Sequence, residues 1–309
     1  MVPTSDSIPP VIPTEVLLPS EKFLIPVAGG DLALFRFGAD QGNPVLLVHG
    51  VTSSHRAFLL FAQSLIARGR TPYAVDLRGR GDSNSLPGPF GMQNHANDLA
   101  AICTYFKWEK IDLIGHSMGA FVTAAFAGIY PELINQIVLA DGGIPLPLPA
   151  GMTIEQVMPL ILGPAFARLN MIFESHDAYR EYWKPQPAFA KGWSAAIEEY
   201  VDYDLRGTTP HMRAATNPQA VEEDSRDLFD TALIENSLKG LKKKTIFIKA
   251  ERGLQNEAGG LYPLPVLEYV LPLYPMLELK ILPDTNHYDM FLEGHGAEAI
   301  AELIYGGRL

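Results

Sequence analysis

Two rhythms of apolar positions alternate along this chain. Short, mostly apolar runs at 45–48, 71–77, 110–114 and 136–140 read as strands buried on both faces. Between them lie longer stretches whose apolar residues recur three and four positions apart. In 55–68 these are Phe58, Leu59, Phe61, Ala62, Leu65 and Ile66, a helical stripe that Gly69 ends. Further helices are expected over 92–106 and 120–129. Ahead of them, 22–37 alternates in character and breaks at Gly29-Gly30-Asp31, the pattern of a hairpin. Strand and helix alternating with short links predict an α/β fold, a parallel sheet covered on both faces.

The alternation stops after Ile144. Residues 145–232 open with Pro145, Pro147 and Pro149 and continue as helical stretches rich in aromatics, among them Phe173, Tyr179, Tyr182, Trp183, Trp193, Tyr200 and Tyr203. Strands return at 245–250 and 277–282, and a last helix is expected over 296–305. The expected organisation is a core domain from 1–144 and 233–309, with 145–232 inserted as a helical cap. Residues 1–20 carry Pro3, Pro9, Pro10, Pro13 and Pro19, so an extended arm is expected there.

Composition narrows the function classes. A hydrophobic share of 47% and a charged share of 19% fit a globular protein with a sizeable core. A formal net charge of −11 argues against a nucleic-acid binder and against attraction to an anionic membrane surface. The lone Cys103 excludes an intramolecular disulfide and sits in an apolar helical stretch. No run is apolar enough over a sufficient length to span a membrane, and no basic-then-apolar leader opens the chain. An intracellular, cytoplasmic protein is expected, as a monomer or homodimer. No H-x-x-x-H or C-x-x-C spacing points to a metal.

The chemistry centres on Gly115-His116-Ser117-Met118-Gly119, placed between a strand and a small-residue helix. G-x-S-x-G in that context is a nucleophile elbow, whose glycines allow close packing around a strained turn. Ser117 needs a base, and His287 follows the last expected strand in Asp284-Thr285-Asn286-His287. Two carboxylates compete to orient it. Asp141 closes the strand 136–140 before two glycines and is preferred; Glu251 closes the strand 245–250 and is the alternative. Backbone N–H groups of Met118 and Val51 are the expected oxyanion donors. His49, Gly50 and His116 are expected beside the nucleophile, and Trp183 of the cap is expected to line the substrate pocket.

Together, His49-Gly50, Asp76-Leu77-Arg78-Gly79-x-Gly81-x-Ser83, the elbow and Asn286-His287 resemble the α/β-hydrolase superfamily over about 22–144 and 240–305. The resemblance implies a mostly parallel eight-stranded sheet, a helical cap and no cofactor. It is similar above all to capped esterase and lipase-type members, acting on small-molecule esters. Fungal-toxin lactonases of this superfamily place the acid where Asp141 stands. A serine at the elbow, instead of aspartate, disfavours dehalogenases and epoxide hydrolases. Lactone and carbon–carbon bond hydrolysis remain alternatives, as does a small-molecule sensor of the same fold with slow turnover.

Overall fold

The computed structural model describes residues 18–306 except Pro147 and Ala190. The expected proline-rich arm therefore lies, up to residue 17, outside the described residues. The chain opens with the hairpin β1 (Ser20–Val27) and β2 (Gly30–Phe37), which starts two residues earlier than the alternation alone suggests. Then follow β3 (Asn43–Val48), α1 (Leu59–Ile66), β4 (Arg70–Val75), α2 (Met92–Phe106), β5 (Ile111–His116), α3 (Met118–Ile129) and β6 (Ile134–Ala140). The single helix expected over 55–68 is divided. Its first turn, His55–Phe58, is a 3₁₀ helix capped by Ser54, whose hydroxyl accepts from the Arg56 N–H.

Between β6 and the next sheet strand lie α4 (Ile154–Leu162), α5 (Pro164–Ala167), α6 (His176–Trp183), α7 (Ala195–Tyr203), β7 (Leu205–Thr208), β8 (His211–Ala214), α8 (Pro218–Leu228) and α9 (Thr231–Lys239). This insertion is not wholly helical as expected. β7 and β8 form their own antiparallel hairpin, tied through Met212 to Phe173. The chain ends with β9 (Thr245–Ala250), α10 (Leu264–Val270), β10 (Leu277–Leu282), α11 (Asp289–Leu292) and α12 (Gly294–Tyr305).

The main sheet has eight strands in the order β1-β2-β4-β3-β5-β6-β9-β10. β1 and β2 run antiparallel at one edge, and every pair from β4 to β10 is parallel. Strand periodicity divides the core. Leu46, Val48, Leu113 and Leu139 face the layer built on α2 and α3, whereas Val45, Leu47, Ile114 and Val138 face the layer of α1, α11 and α12. β3, β5 and β6 lie in the middle, covered on both faces. Their C-terminal ends gather the loops where an α/β sheet places its chemistry. Among the described residues, no helix is long and apolar enough to cross a membrane.

Candidate active site

β5 is buried along its whole length and delivers the elbow at its C-terminal end. Ser117 turns there with φ 56° and ψ −124°, a conformation that ordinary side chains avoid, and α3 begins at the next residue. The two elbow glycines are needed for space. A Cβ on Gly115 would lie 2.1 Å from the Gly119 carbonyl oxygen, and one on Gly119 would lie 2.0 Å from that of Val48. The Ser117 N–H donates to the Ala140 carbonyl at 2.9 Å, which fixes the turn to β6. Ser117 is half-buried between buried neighbours, so its hydroxyl meets a cleft rather than the core.

Asp141 stands just past β6, fully buried, with φ 46°. Its N–H donates to the Ile248 carbonyl at 2.7 Å, and its Oδ1 accepts from the Ala250 N–H at 3.2 Å. Its Oδ2 lies 2.7 Å from His287 Nδ1. Gly142 lets this turn close on the elbow, since a Cβ there would sit 2.1 Å from the Ser117 carbonyl oxygen. Behind the carboxylate lies buried Lys249, whose Nζ donates to the Ala250 carbonyl. Burial lowers the Lys249 pKa, against the pull of Asp141 and Glu251.

His287 is buried on the loop after β10. Asn286 builds that loop: its Oδ1 accepts the N–H groups of Tyr288 and Asp289, and its Nδ2 donates to the Ala188 carbonyl of the insertion. The bond at Nδ1 leaves His287 Nε2 as the ring nitrogen available for proton transfer. Glu251 bonds elsewhere. It is exposed and accepts from the Asp284 N–H at 2.7 Å, on the outside of the same loop.

The loop after β3 reaches the elbow through Gly50, where a Cβ would lie 3.1 Å from Ser117 Cβ. The Gly50 carbonyl is held from behind by His49 Nδ1 at 2.8 Å and the Ser53 N–H at 3.2 Å. In a trans peptide the N–H opposes the carbonyl, so the Val51 N–H is turned the other way. Met118, as the first residue of α3, has an N–H that the helix ladder does not use.

Gly50, Val51, His116, Ser117 and His287 share the wall of one cleft with Leu162 of α4 and Tyr200 of α7. The space within is narrow, about 30 Å³. His116 lies beside His287 with ring centroids 4.5 Å apart and ring planes tilted by 38°. Burial, and then the neighbouring His287, hold its pKa well below the ordinary histidine value.

Two expected pocket residues lie elsewhere. His49 is fully buried behind the loop, with Nε2 accepting from the Leu77 N–H at 3.0 Å. Those two bonds require a neutral ring, and burial takes its pKa down to about 4. Trp183 packs inside the insertion, against Phe189 and over the Arg168 guanidinium, because an amphipathic helix hides its largest ring in its own core.

Two further buried histidines have partners of their own: His55 bonds Asp76 and His95 bonds Asp224. Among the described residues, no three His, Cys, Asp or Glu side chains cluster as metal ligands would. Sequence reasoning missed Leu162 as a cleft wall and did not single out Tyr200 from the other aromatics of the insertion, since only the folded insertion brings them there. Arg80, the variable position between Gly79 and Gly81, was given no task.

Comparison with known proteins agrees with this architecture. Residues 43–183 match the family model described as the alpha/beta hydrolase fold. A serine hydrolase-like protein of Mus musculus is 32% identical over 117 residues, covering 37% of each chain. A probable alcohol acetyltransferase of Wickerhamomyces anomalus is 32% identical over 118 residues, 38% of this chain and 34% of the yeast protein. The chain thus aligns with well under half the length of these two relatives. The crystal structure of E-2-(acetamidomethylene)succinate hydrolase superposes with a TM-score of 0.73 at 20% identity, over 93% of this chain and 98% of that one. The sheet order, the turn at the end of β5 and these matches agree: the chain has the alpha/beta hydrolase fold.

Proposed function

We propose that the protein is a serine hydrolase of carboxylic esters, with Ser117, His287 and Asp141 as its triad. The observation that carries the reading is the 2.7 Å contact between Asp141 and His287 on the wall of the cleft that holds Ser117. His287 Nε2 takes the Ser117 proton as the hydroxyl attacks the acyl carbonyl. Asp141 keeps the proton on Nδ1 and stabilises the imidazolium. The N–H groups of Val51 and Met118 receive the charge that develops on the carbonyl oxygen. His287 then protonates the departing alkoxide, and a water attacks the acyl-enzyme by the same route in reverse.

In this reading residues 145–232 act as a lid. The cleft beside Ser117 is narrow and walled by α4 and α7, which in this reading shift to admit an ester. Leu162 is the lid side chain placed to meet the acyl chain.

The test is turnover of p-nitrophenyl acetate, butyrate and octanoate, with a panel of lactones, by the protein and by Ser117→Ala. The expected outcome is release of p-nitrophenol that disappears in the variant, and a fluorophosphonate adduct mapped to Ser117. Undiminished turnover in the variant overturns the assignment. A second outcome has a specific support, the alcohol acetyltransferase relative together with the apolar walls Leu162, Leu254 and Phe291. An acyl-enzyme in such a cleft can pass its acyl group to an alcohol. Ethyl ester formation in the presence of ethanol, measured against free acid, reads that partition.

A further inference from the structure

The loop that carries Val51 is gripped by two buried arginines, Arg80 of the core and Arg168 of the insertion. Arg80, fully buried, donates from Nε to the Val51 carbonyl at 2.9 Å and from Nη1 to the Arg78 carbonyl at 3.0 Å. Its Nη2 lies 3.8 Å from Met118 Sδ. Arg168 takes the next carbonyl along the loop, donating from Nη2 to Thr52 at 2.7 Å. Each guanidinium has a carboxylate partner on the insertion: Asp224 of α8 is 2.5 Å from Arg80 Nη1, and Asp204, just past α7, is 2.9 Å from Arg168 Nε.

Asp224 is itself well anchored. It accepts from the Gly91 N–H at 2.6 Å and meets His95 Nε2 at 3.0 Å. Burial alone would raise its pKa, but Arg80 and His95 outweigh that and hold the carboxyl below the usual range. The same helix docks on the start of α2 through Glu223 and Asp227, which accept from Phe90 and Met92.

We propose that Arg80 and Arg168 are positioning residues of the oxyanion hole, a two-point clamp on the Val51 and Thr52 carbonyls that makes oxyanion geometry depend on how the insertion sits on the core. Arg80 touches the residues on both sides of the hole, Val51 and Met118. With the Gly50 carbonyl pinned by His49 and Ser53, holding the Val51 carbonyl fixes both peptides that flank Val51 and so the direction of its N–H. Only a planar fork reaches two carbonyls and a carboxylate together. A lysine keeps the charge and the ion pair but loses that reach.

The clamp rests on the serine-hydrolase reading, and its test separates the two. Arg80→Lys and Arg168→Lys are compared with Arg78→Lys, another buried arginine whose fork holds Asp98, Ala28 and Pro87 instead. For the clamp variants the expected result is a kcat about 10- to 100-fold lower with KM within about threefold, since a donor displaced from the transition state is lost there alone. Affinity for a trifluoromethyl ketone inhibitor falls in step with kcat/KM. Arg78→Lys lowers Tm without the selective loss in kcat.

Hydrogen exchange over 49–54 and 117–121 reads the clamp directly, even in a protein that turns over no ester. The clamp predicts faster exchange in those segments in Arg80→Lys and Arg168→Lys, and not in Arg78→Lys. Unchanged exchange there, or one kinetic profile for all three lysine variants, overturns the proposal. Failure of the fluorophosphonate to label the wild-type protein, with exchange responding as stated, overturns the hydrolase reading and leaves the clamp standing.

Discussion

Asp141 and Glu251 show how little separates two carboxylates in sequence and how much in space. Each follows an apolar strand of the same sheet, and each belongs to the set of turns around His287. Asp141 is fully buried and bonded to Nδ1 of that histidine, while Glu251 points outward to the Asp284 N–H. Under the proposed mechanism Asp141→Asn loses the negative charge and the preferred tautomer, and kcat falls on the order of 10⁴-fold. Glu251→Gln changes kcat by less than about threefold, as expected for an exposed carboxylate remote from the reacting atoms. Steady-state rates on one ester, with circular dichroism to check folding, decide between them. A larger loss in the Glu251 variant would exchange their roles.

At the level of elements, the elbow works because two glycines let β5, α3 and β3 approach closely. Gly119→Ala places a methyl 2.0 Å from the Val48 carbonyl oxygen, backbone against backbone, so one element must shift. The expected cost is about 1–3 kcal/mol in urea unfolding, along with lost activity. Gly294→Ala is the control: its Cβ meets nothing within 4 Å at the start of α12, and it should gain about 0.5 kcal/mol. Helix α4 carries a separate prediction. Leu162→Ala widens the cleft, and the ratio of kcat/KM for octanoate over acetate should rise roughly tenfold. A ratio that stays put removes Leu162 from the acyl pocket.

Across the whole molecule, buried neutral histidines make stability depend on pH. His49 binds a proton near pH 6.5 when unfolded but only near pH 4 when folded. The unfolded state therefore holds more protons between those values. The stabilisation from a neutral His49 is complete above pH 6.5 and is lost as pH falls towards 4, by about 3 kcal/mol in total. Burial lowers the pKa values of His55 and His116 as well, with the same sign. Asp76 and Asp224 are held below the usual carboxylate range and add their loss only at lower pH. Thermal unfolding followed from about pH 7.5 to about pH 4.5 should show Tm falling once pH drops below about 6.5. A flat profile across that window contradicts the neutral burial of these rings.

The chain by itself determined whatever is written in near neighbours. Alternating apolar runs specify strands that must be covered on both faces. Met92–Phe106 is a helix with the same limits in sequence and in structure. Gly115, Ser117 and Gly119 specify a turn that few other residues could make, and His287 follows the last strand of the sheet, in the loop after β10. These features were legible because each depends on side chains within a few positions of one another. Only the tertiary structure decided what long loops bring together. The Asp141–His287 contact spans 146 positions, and closing such a loop leaves no local trace in composition or period. Trp183 was expected to line the pocket as one of the insertion's large aromatics, and the packing of the insertion turned it inward against Phe189. Arg80 looked like the variable position of a motif until α8 folded Asp224 against it. The hydrophobic pattern states which residues must be hidden, and the assembled sheet and insertion settle what they are hidden against.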